Sequence, residues 1–175
     1  DIDRVCRENG ICYSLYGGTL LGAIRHKGFI PWDDDVDLIF VRSEYEKFVK
    51  AYPKYGNKKY YLGKGVFYKC TPAVIFPEKT KLVQTNLDLP GPWISIFIFD
   101  TCPENFILAK LKVVLAKVLI GMMGKPIHYN RFGIKTKVFF TIASILGKLF
   151  PEKWKLSMHT NISKLGISLK SSYYS

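Results

Sequence analysis

The 175-residue sequence predicts an α+β fold, with a mixed sheet in residues 1–103 and a helical part in residues 104–175. Three observations carry that expectation. Stretches rich in β-branched and aromatic residues, divided by Gly and Pro, fill the first hundred positions; after Glu104 the pattern turns to three runs that read as helices; and no internal repeat, heptad register or low-complexity linker interrupts either part. At 48% hydrophobic residues a chain of this length buries roughly 70% of its unfolded surface without staples, so a single domain is expected.

Residues 2–8 read as a short helix stopped by Asn9-Gly10, where Gly accepts the left-handed conformation past a helix end. Residues 11–16 read as a strand that runs into a sharp turn at Gly17-Gly18. Thr19 stands where an N-cap belongs, ahead of LLGAIRH, a short helix ending before Gly28. After the Pro31-Trp32 loop comes DDDVDLIFV, in which Val36, Leu38 and Phe40 alternate with Asp35, Asp37 and Ile39: a strand with one apolar face and one that begins acidic. Ser43 is placed to cap the helix SEYEKFVKAY, with Tyr45, Phe48 and Val49 at helical spacing and Pro53 as its stop. KYYLGKGVFYK and PAVIF hold two or three short strands, and residues 93–99, apolar except for Ser95, suit a central strand. FILAKLKVVLAKVLIGMM, TKVFFTIASILGKLF and PEKWKLSMHTNISKL then form the helical part.

Composition excludes several classes. The longest uncharged apolar runs are roughly half of the ~20 residues that a spanning helix needs, and the charged start DIDRVCRENG is unlike a signal peptide. Cys6, Cys12, Cys70 and Cys102 form no C-x-x-C pair and have only His26, His128 and His159 for company, which points to reduced, buried thiols in a cytoplasmic protein rather than zinc ligands. The 26 Lys and Arg against 14 Asp and Glu, a net +12, imply an anionic partner: nucleic acid, nucleotide or membrane headgroups. Most acids lie in residues 1–48. An acidic cluster in a basic surround suggests a metal ion shared between that cluster and a phosphate.

The chemistry concentrates in YGGTLLGAIRHKGFIPWDDDVDLIF, residues 16–40. Asp35 and Asp37 are two apart on a strand, so their carboxylates emerge on one face roughly 6–7 Å apart at Cβ. Such a pair suits Mg²⁺ or Mn²⁺, with Asp33 as a further ligand and Asp34 in support. Gly17 and Gly18 let backbone approach a ligand, and the N–H groups at the helix start, with the Thr19 hydroxyl, form a phosphate cradle that Arg25, His26 and Lys27 can neutralise. Metal, cradle and cations together describe phosphoryl transfer. Asp33, Asp35, Asp37 and Glu44 also match EF-hand spacing, but Leu38 stands where that loop needs Gly. His128 and His159 lack acidic or cysteine neighbours and read as surface or core residues.

GGTLLGAIRHKGFIPWDDDVDL resembles the signature of the LicD family, bacterial phosphotransferases related to fukutin and to the wider nucleotidyltransferase superfamily. The superfamily's glycine turn and later Asp-x-Asp map onto Gly17-Gly18-Thr19 and Asp35-Val36-Asp37, and the resemblance continues through Arg42, Tyr45 and Phe48 and returns at PWISIFIFD. It implies a nucleotidyltransferase-like mixed sheet with flanking helices. It also implies catalytic Asp35 and Asp37 and transfer of phosphocholine, or a related alditol phosphate, from CDP-choline or a similar CDP-linked donor. The acceptor would be a sugar of a surface glycan or teichoic acid, on the cytoplasmic side of the membrane. Two departures stand out. The family's W-I-D-I-F-P-L-D reads Trp93-Ile94-Ser95-Ile96-Phe97-Ile98-Phe99-Asp100 here, so a neutral Ser95 replaces a third carboxylate and Asp100 has the opposite parity. The family's Tyr/Gly/Pro-rich C-terminal segment has no counterpart before SSYYS, so a single LicD-like domain over residues 1–175 without that segment is expected.

Two rivals remain. A nucleotidyltransferase acting on nucleic acid would use the same carboxylates and suit the charge, but RHKGFIPWDDD matches LicD proteins specifically, which disfavours nucleic acid as a partner. A catalytically weakened protein associated with glycan or membrane would accommodate Ser95. The lysines between residues 106 and 165 leave two readings open, an anionic membrane surface or core helices with solvated lysines.

Overall fold

The computed structural model describes residues 1–33, 35–63, 74–77, 94–124 and 133–166. The chain divides into two compact units, residues 1–66 with 71–99, and residues 67–70 with 100–175. Together they give the α+β composition expected, with the sheet in the first and helices in the second.

In the first unit, α1 (Ile2–Glu8), β1 (Ser14–Leu15), α2 (Gly17–Arg25), β2 (Val36–Val41), α3 (Arg42–Tyr55), β3 (Tyr60–Gly63), β4 (Val74–Pro77) and β5 (Ile94–Phe99) follow in order. The strands form one mixed sheet in the order β1-β2-β5-β4-β3, with β5 parallel to β2 and antiparallel to β4. The apolar run around Ser95 therefore holds the middle of the sheet, as its composition predicts. Alternation then sorts the side chains. Leu38, Phe40 and Ile96 point to one face and are buried with Val5 and Cys6 of α1 and Phe48 and Tyr52 of α3, each large side chain contributing roughly 1.5–3 kcal/mol. Phe40 stacks on Tyr13, packs at a tilt on Phe48 and meets Tyr45 edge-on, so one strand residue ties β2 to α3. The opposite face carries Asp37 and Ser95.

Several elements differ from expectation. The strand over residues 11–16 shrinks to Ser14–Leu15 because the preceding amides bond elsewhere: Ile11 N–H donates to Cys6 O and Cys12 N–H to Glu44 Oε2. That bond, with the Lys47 ion pair, gives Glu44 a structural task far from any calcium loop. Pro53 lies inside α3 rather than ending it, since the turn beyond is held by Arg4 Nη2 donating to Tyr55 O and by the Tyr52 hydroxyl on Asp1. Ser43 is the second residue of that helix, after Val41 as N-cap, and Val49 is exposed while Ala51 takes the buried position. Cys6 is buried as expected, but Cys12 and Cys102 are exposed. Trp93, Asp34, Cys70 and His128 lie outside the described residues.

The second unit holds α4 (Phe106–Met123), α5 (Ile134–Gly147) and α6 (Glu152–Ser163). Asn105 caps α4, its Oδ1 accepting from Ile107 and Leu108 N–H. Leu119 and Met123 of α4 bury against Ile162 of α6. Two lysines from the basic tally are used internally. Lys155 is buried and its ammonium donates to Met122 O and Gly147 O, and Lys112 Nζ donates to the carbonyls of Thr101, Ser163 and Leu165. All of these carbonyls except that of Thr101 lie at or just beyond helix C-terminal ends, where cations are favoured. Among the described residues no helix is long and apolar enough to cross a membrane.

Candidate active site

The site begins where β1 hands over to α2. Tyr16 is the N-cap in extended conformation, and α2 opens on Gly17, whose φ of +56° is a left-handed value that other residues adopt only with strain. Two backbone bonds stitch this helix start to β2: Tyr16 N–H donates to Asp37 O at 2.9 Å, and Asp37 N–H donates to Thr19 Oγ1 at 2.9 Å. Thr19 therefore stands in the first turn, not at the cap. Its hydroxyl positions Asp37 while retaining its own proton to donate.

The carboxylates of Asp33 and Asp37 abut the two glycines. A Cβ on Gly17 would sit 2.9 Å from Asp37 Oδ2, and one on Gly18 would collide with Asp33 Oδ2. Gly17 needs bare backbone for that φ, and at Gly18 a side chain would push the Asp33 carboxylate aside. Across the sheet, register sets Asp37 directly beside Ser95. Ser95 Oγ is buried and, among the described residues, makes no hydrogen bond of acceptable geometry. Burial raises the Asp37 pKa above the ordinary carboxylate range; the neighbouring Ser95 hydroxyl opposes that shift and the charge of Asp33 adds to it. A half-buried carboxylate whose ionisation is disfavoured, beside a second carboxylate and a buried hydroxyl, is a site short of positive charge.

The structure brings Gly17, Gly18, Thr19, Asp33 and Asp37 together, with Ser95 as their neighbour. Asp35 lies immediately before β2. Arg25 closes the nine-residue α2, so its backbone is roughly 12 Å along the axis from Gly17, and its Nε donates to His26 Nδ1. Lys27 shares a cavity of about 330 Å³ with Thr19, Ala23, Phe29 and Val36. Asp100 follows the last residue of β5, a strand length from Ser95. One neighbour went unseen in the sequence: the Tyr16 ring lies 5.1 Å from that of Phe97, two residues along β5 from Ser95 and on the same face.

Among the described residues, no three His, Cys, Asp or Glu side chains gather to hold a metal ion. Mg²⁺ needs less. It is typically bound through one or two carboxylates and completes its shell with water and substrate phosphates. Asp33, Asp37 and the orphaned Ser95 hydroxyl, all oxygen donors beside open backbone, fit that requirement.

Residues 10–113 match the family model described as LicD/FKTN/FKRP, nucleotidyltransferase domain. The chain is 39% identical over 105 residues to the lipopolysaccharide cholinephosphotransferase LicD of Haemophilus influenzae, covering 58% of this chain and 40% of that protein. It is 33% identical over 127 residues to an uncharacterized protein of Rickettsia typhi, covering 69% of this chain and 37% of that one. Over 34 residues it is 59% identical to the human ribitol 5-phosphate transferase FKRP, covering 19% of this chain and 7% of FKRP. The chain thus spans about two fifths or less of the length of these curated relatives. No solved structure matches it.

Proposed function

Because the chain belongs to the LicD/FKTN/FKRP family of nucleotidyltransferase domains, we propose that it transfers phosphocholine, or a related alditol phosphate such as ribitol phosphate, from a CDP-linked donor to a sugar hydroxyl of a surface glycan. One observation carries this reading: a glycine-opened helix start packed on the Asp33 and Asp37 carboxylates beside a buried, unpartnered Ser95. The relatives' printed activities supply the classes of group transferred, choline phosphate and ribitol 5-phosphate.

In this reading Asp35 and Asp37 are the catalytic carboxylates, and with Asp33 they hold a divalent cation, to which Ser95 adds a neutral oxygen. When bound, the cation supplies charge neutralisation on the donor's diphosphate. The N–H groups at the start of α2 and the Thr19 hydroxyl receive phosphate oxygens, aided by the positive end of the helix. Lys27, across the shared cavity from Thr19, and Arg25 supply further cationic charge near the donor. The acceptor hydroxyl releases its proton to solvent as its oxygen bonds to the transferred phosphorus, the diphosphate bridge breaks, and CMP leaves with the electron pair.

The test is incubation with radiolabelled CDP-choline, CDP-ribitol and CDP-glycerol, with and without Mg²⁺ and a lipid-linked glycan acceptor. Transfer of one label, abolished in Asp37→Ala, is expected. Equal transfer by wild type and Asp37→Ala would refute the site, and labelling of a polynucleotide would return the assignment to nucleic acid.

A further inference from the structure

We propose that α4 lies in the interface of an anionic lipid surface, with the side chains of Ile107, Leu108, Leu111, Val114 and Leu115 among the acyl chains. At about 100° per residue these five fall within an arc of roughly 120° on one side of the helix. All five are exposed, Ile107 at 73% and Leu111 at 51%. Further along α4, Ala116, Leu119 and Met123 pack towards α6 from the side adjoining the stripe and Gly121 meets Ala143 of α5, so the C-terminal half of the helix is anchored while the stripe on its N-terminal half stays uncovered. A solvated face would be polar and a core face would be covered; this stripe is neither.

Charge selects the occupant. Lys110 and Lys117, seven residues apart and both exposed, share one edge of the stripe, where long stems let ammoniums reach headgroup phosphates while the helix settles below them. The described residues of this unit hold nine lysines against three acids, and six of those lysines are exposed. A second copy of the same face would bring two lysine edges towards each other, whereas an anionic leaflet complements them. Lys112, engaged by three carbonyls, faces away and holds the helix in this rotation. On α5 the exposed Ile134, Val138 and Ile142, at four-residue spacing, repeat the pattern.

The inference does not depend on the reaction assigned to the first unit. Its test is vesicle co-sedimentation of the full chain. Binding to phosphatidylcholine vesicles containing phosphatidylglycerol, weakened by salt and absent with pure phosphatidylcholine, is expected. Leu111→Asp should weaken it by about tenfold or more, because the charge would enter the acyl boundary; Lys110→Glu with Lys117→Glu should remove its salt-sensitive part. All three positions are exposed, so circular dichroism should be unchanged. No binding to anionic vesicles at low salt, or equal binding by Leu111→Asp, overturns the proposal. So does sedimentation velocity showing a dimer that Leu111→Asp dissolves while vesicles fail to bind, which would assign the face to a second copy.

Discussion

Glycines in this protein separate into two kinds according to what their missing side chains would meet. A Cβ on Gly18 meets the far end of the Asp33 side chain, which can swing away, whereas one on Gly22 meets the backbone carbonyl of Gly28 at 2.6 Å, which cannot. Gly18→Ala should therefore leave the thermal midpoint nearly unchanged while displacing Asp33 and weakening nucleotide binding in calorimetry. Gly22→Ala should cost about 1–3 kcal/mol in chemical denaturation through overpacking. Ser95→Asp makes the opposite trade. A third carboxylate beside Asp37 and Asp33 in a buried position should destabilise the metal-free protein, and Mg²⁺ should raise its melting temperature more than it raises that of wild type. An equal response to Mg²⁺ would remove Ser95 from the cation's surroundings. At this scale the sequence was partly legible. Strand parity put Asp37 on the acidic face, and the family resemblance singled out Ser95. The approach of Asp33 to Gly18 was not legible, because the path of the loop before β2 decides it and no periodicity encodes that path.

Helices were the most legible elements and the short edge strand the least. α1 and α4 span the residues that apolar spacing and, for α1, the Asn9-Gly10 stop predict, because both signals are local. β1 failed because hydrogen bonds to α1 and to Glu44 removed its first residues from the ladder, a tertiary competition invisible in a window of six. Pro53 failed as a stop because anchors on α1 hold the turn after it. The same logic governs the helical unit, where Lys155 does the work of a cap from a distance. Lys155→Met keeps the apolar stem but leaves Met122 O and Gly147 O without its ammonium, and should lower stability by about 1–3 kcal/mol in urea titration. An unchanged midpoint would mean that water replaces the ammonium freely.

Across the whole molecule, charge behaviour is asymmetric with pH. Burial pushes the Cys6 thiol from an ordinary value near 9 up to about 11, and burial together with the Asp3 carboxylate pushes Tyr13 from 10 up to about 12. Groups raised in this way favour folding fully below their unfolded pKa and lose that contribution as pH climbs through the folded value, so stability should fall between pH 9 and 12. The thiol's share is about 2–3 kcal/mol, and Cys6→Ala should flatten the lower part of that window in pH-dependent denaturation. At the acid end, Asp3, held low by Arg7 and Tyr13, and Glu44, held low by Lys47 and the Cys12 amide, contribute above their ordinary values. Their contribution disappears as pH falls through the lowered values.

The parallel register of β2 with β5 also has a temporal meaning. Asp37 and Ser95 are neighbours in space but lie 58 positions apart in the chain, and parallel partners cannot be joined by a tight hairpin. Closing so long a loop is entropically slow, and contacts of this range form late relative to helices. During synthesis α1, α2, β2 and α3 emerge before β5 exists to fill the middle of the sheet, so the carboxylates spend that interval without their central strand. Competence at the site is thus a property of the nearly completed sheet, and a nascent or clipped chain ending before residue 94 would carry the whole glycine and aspartate motif without the strand that sets Ser95 beside it.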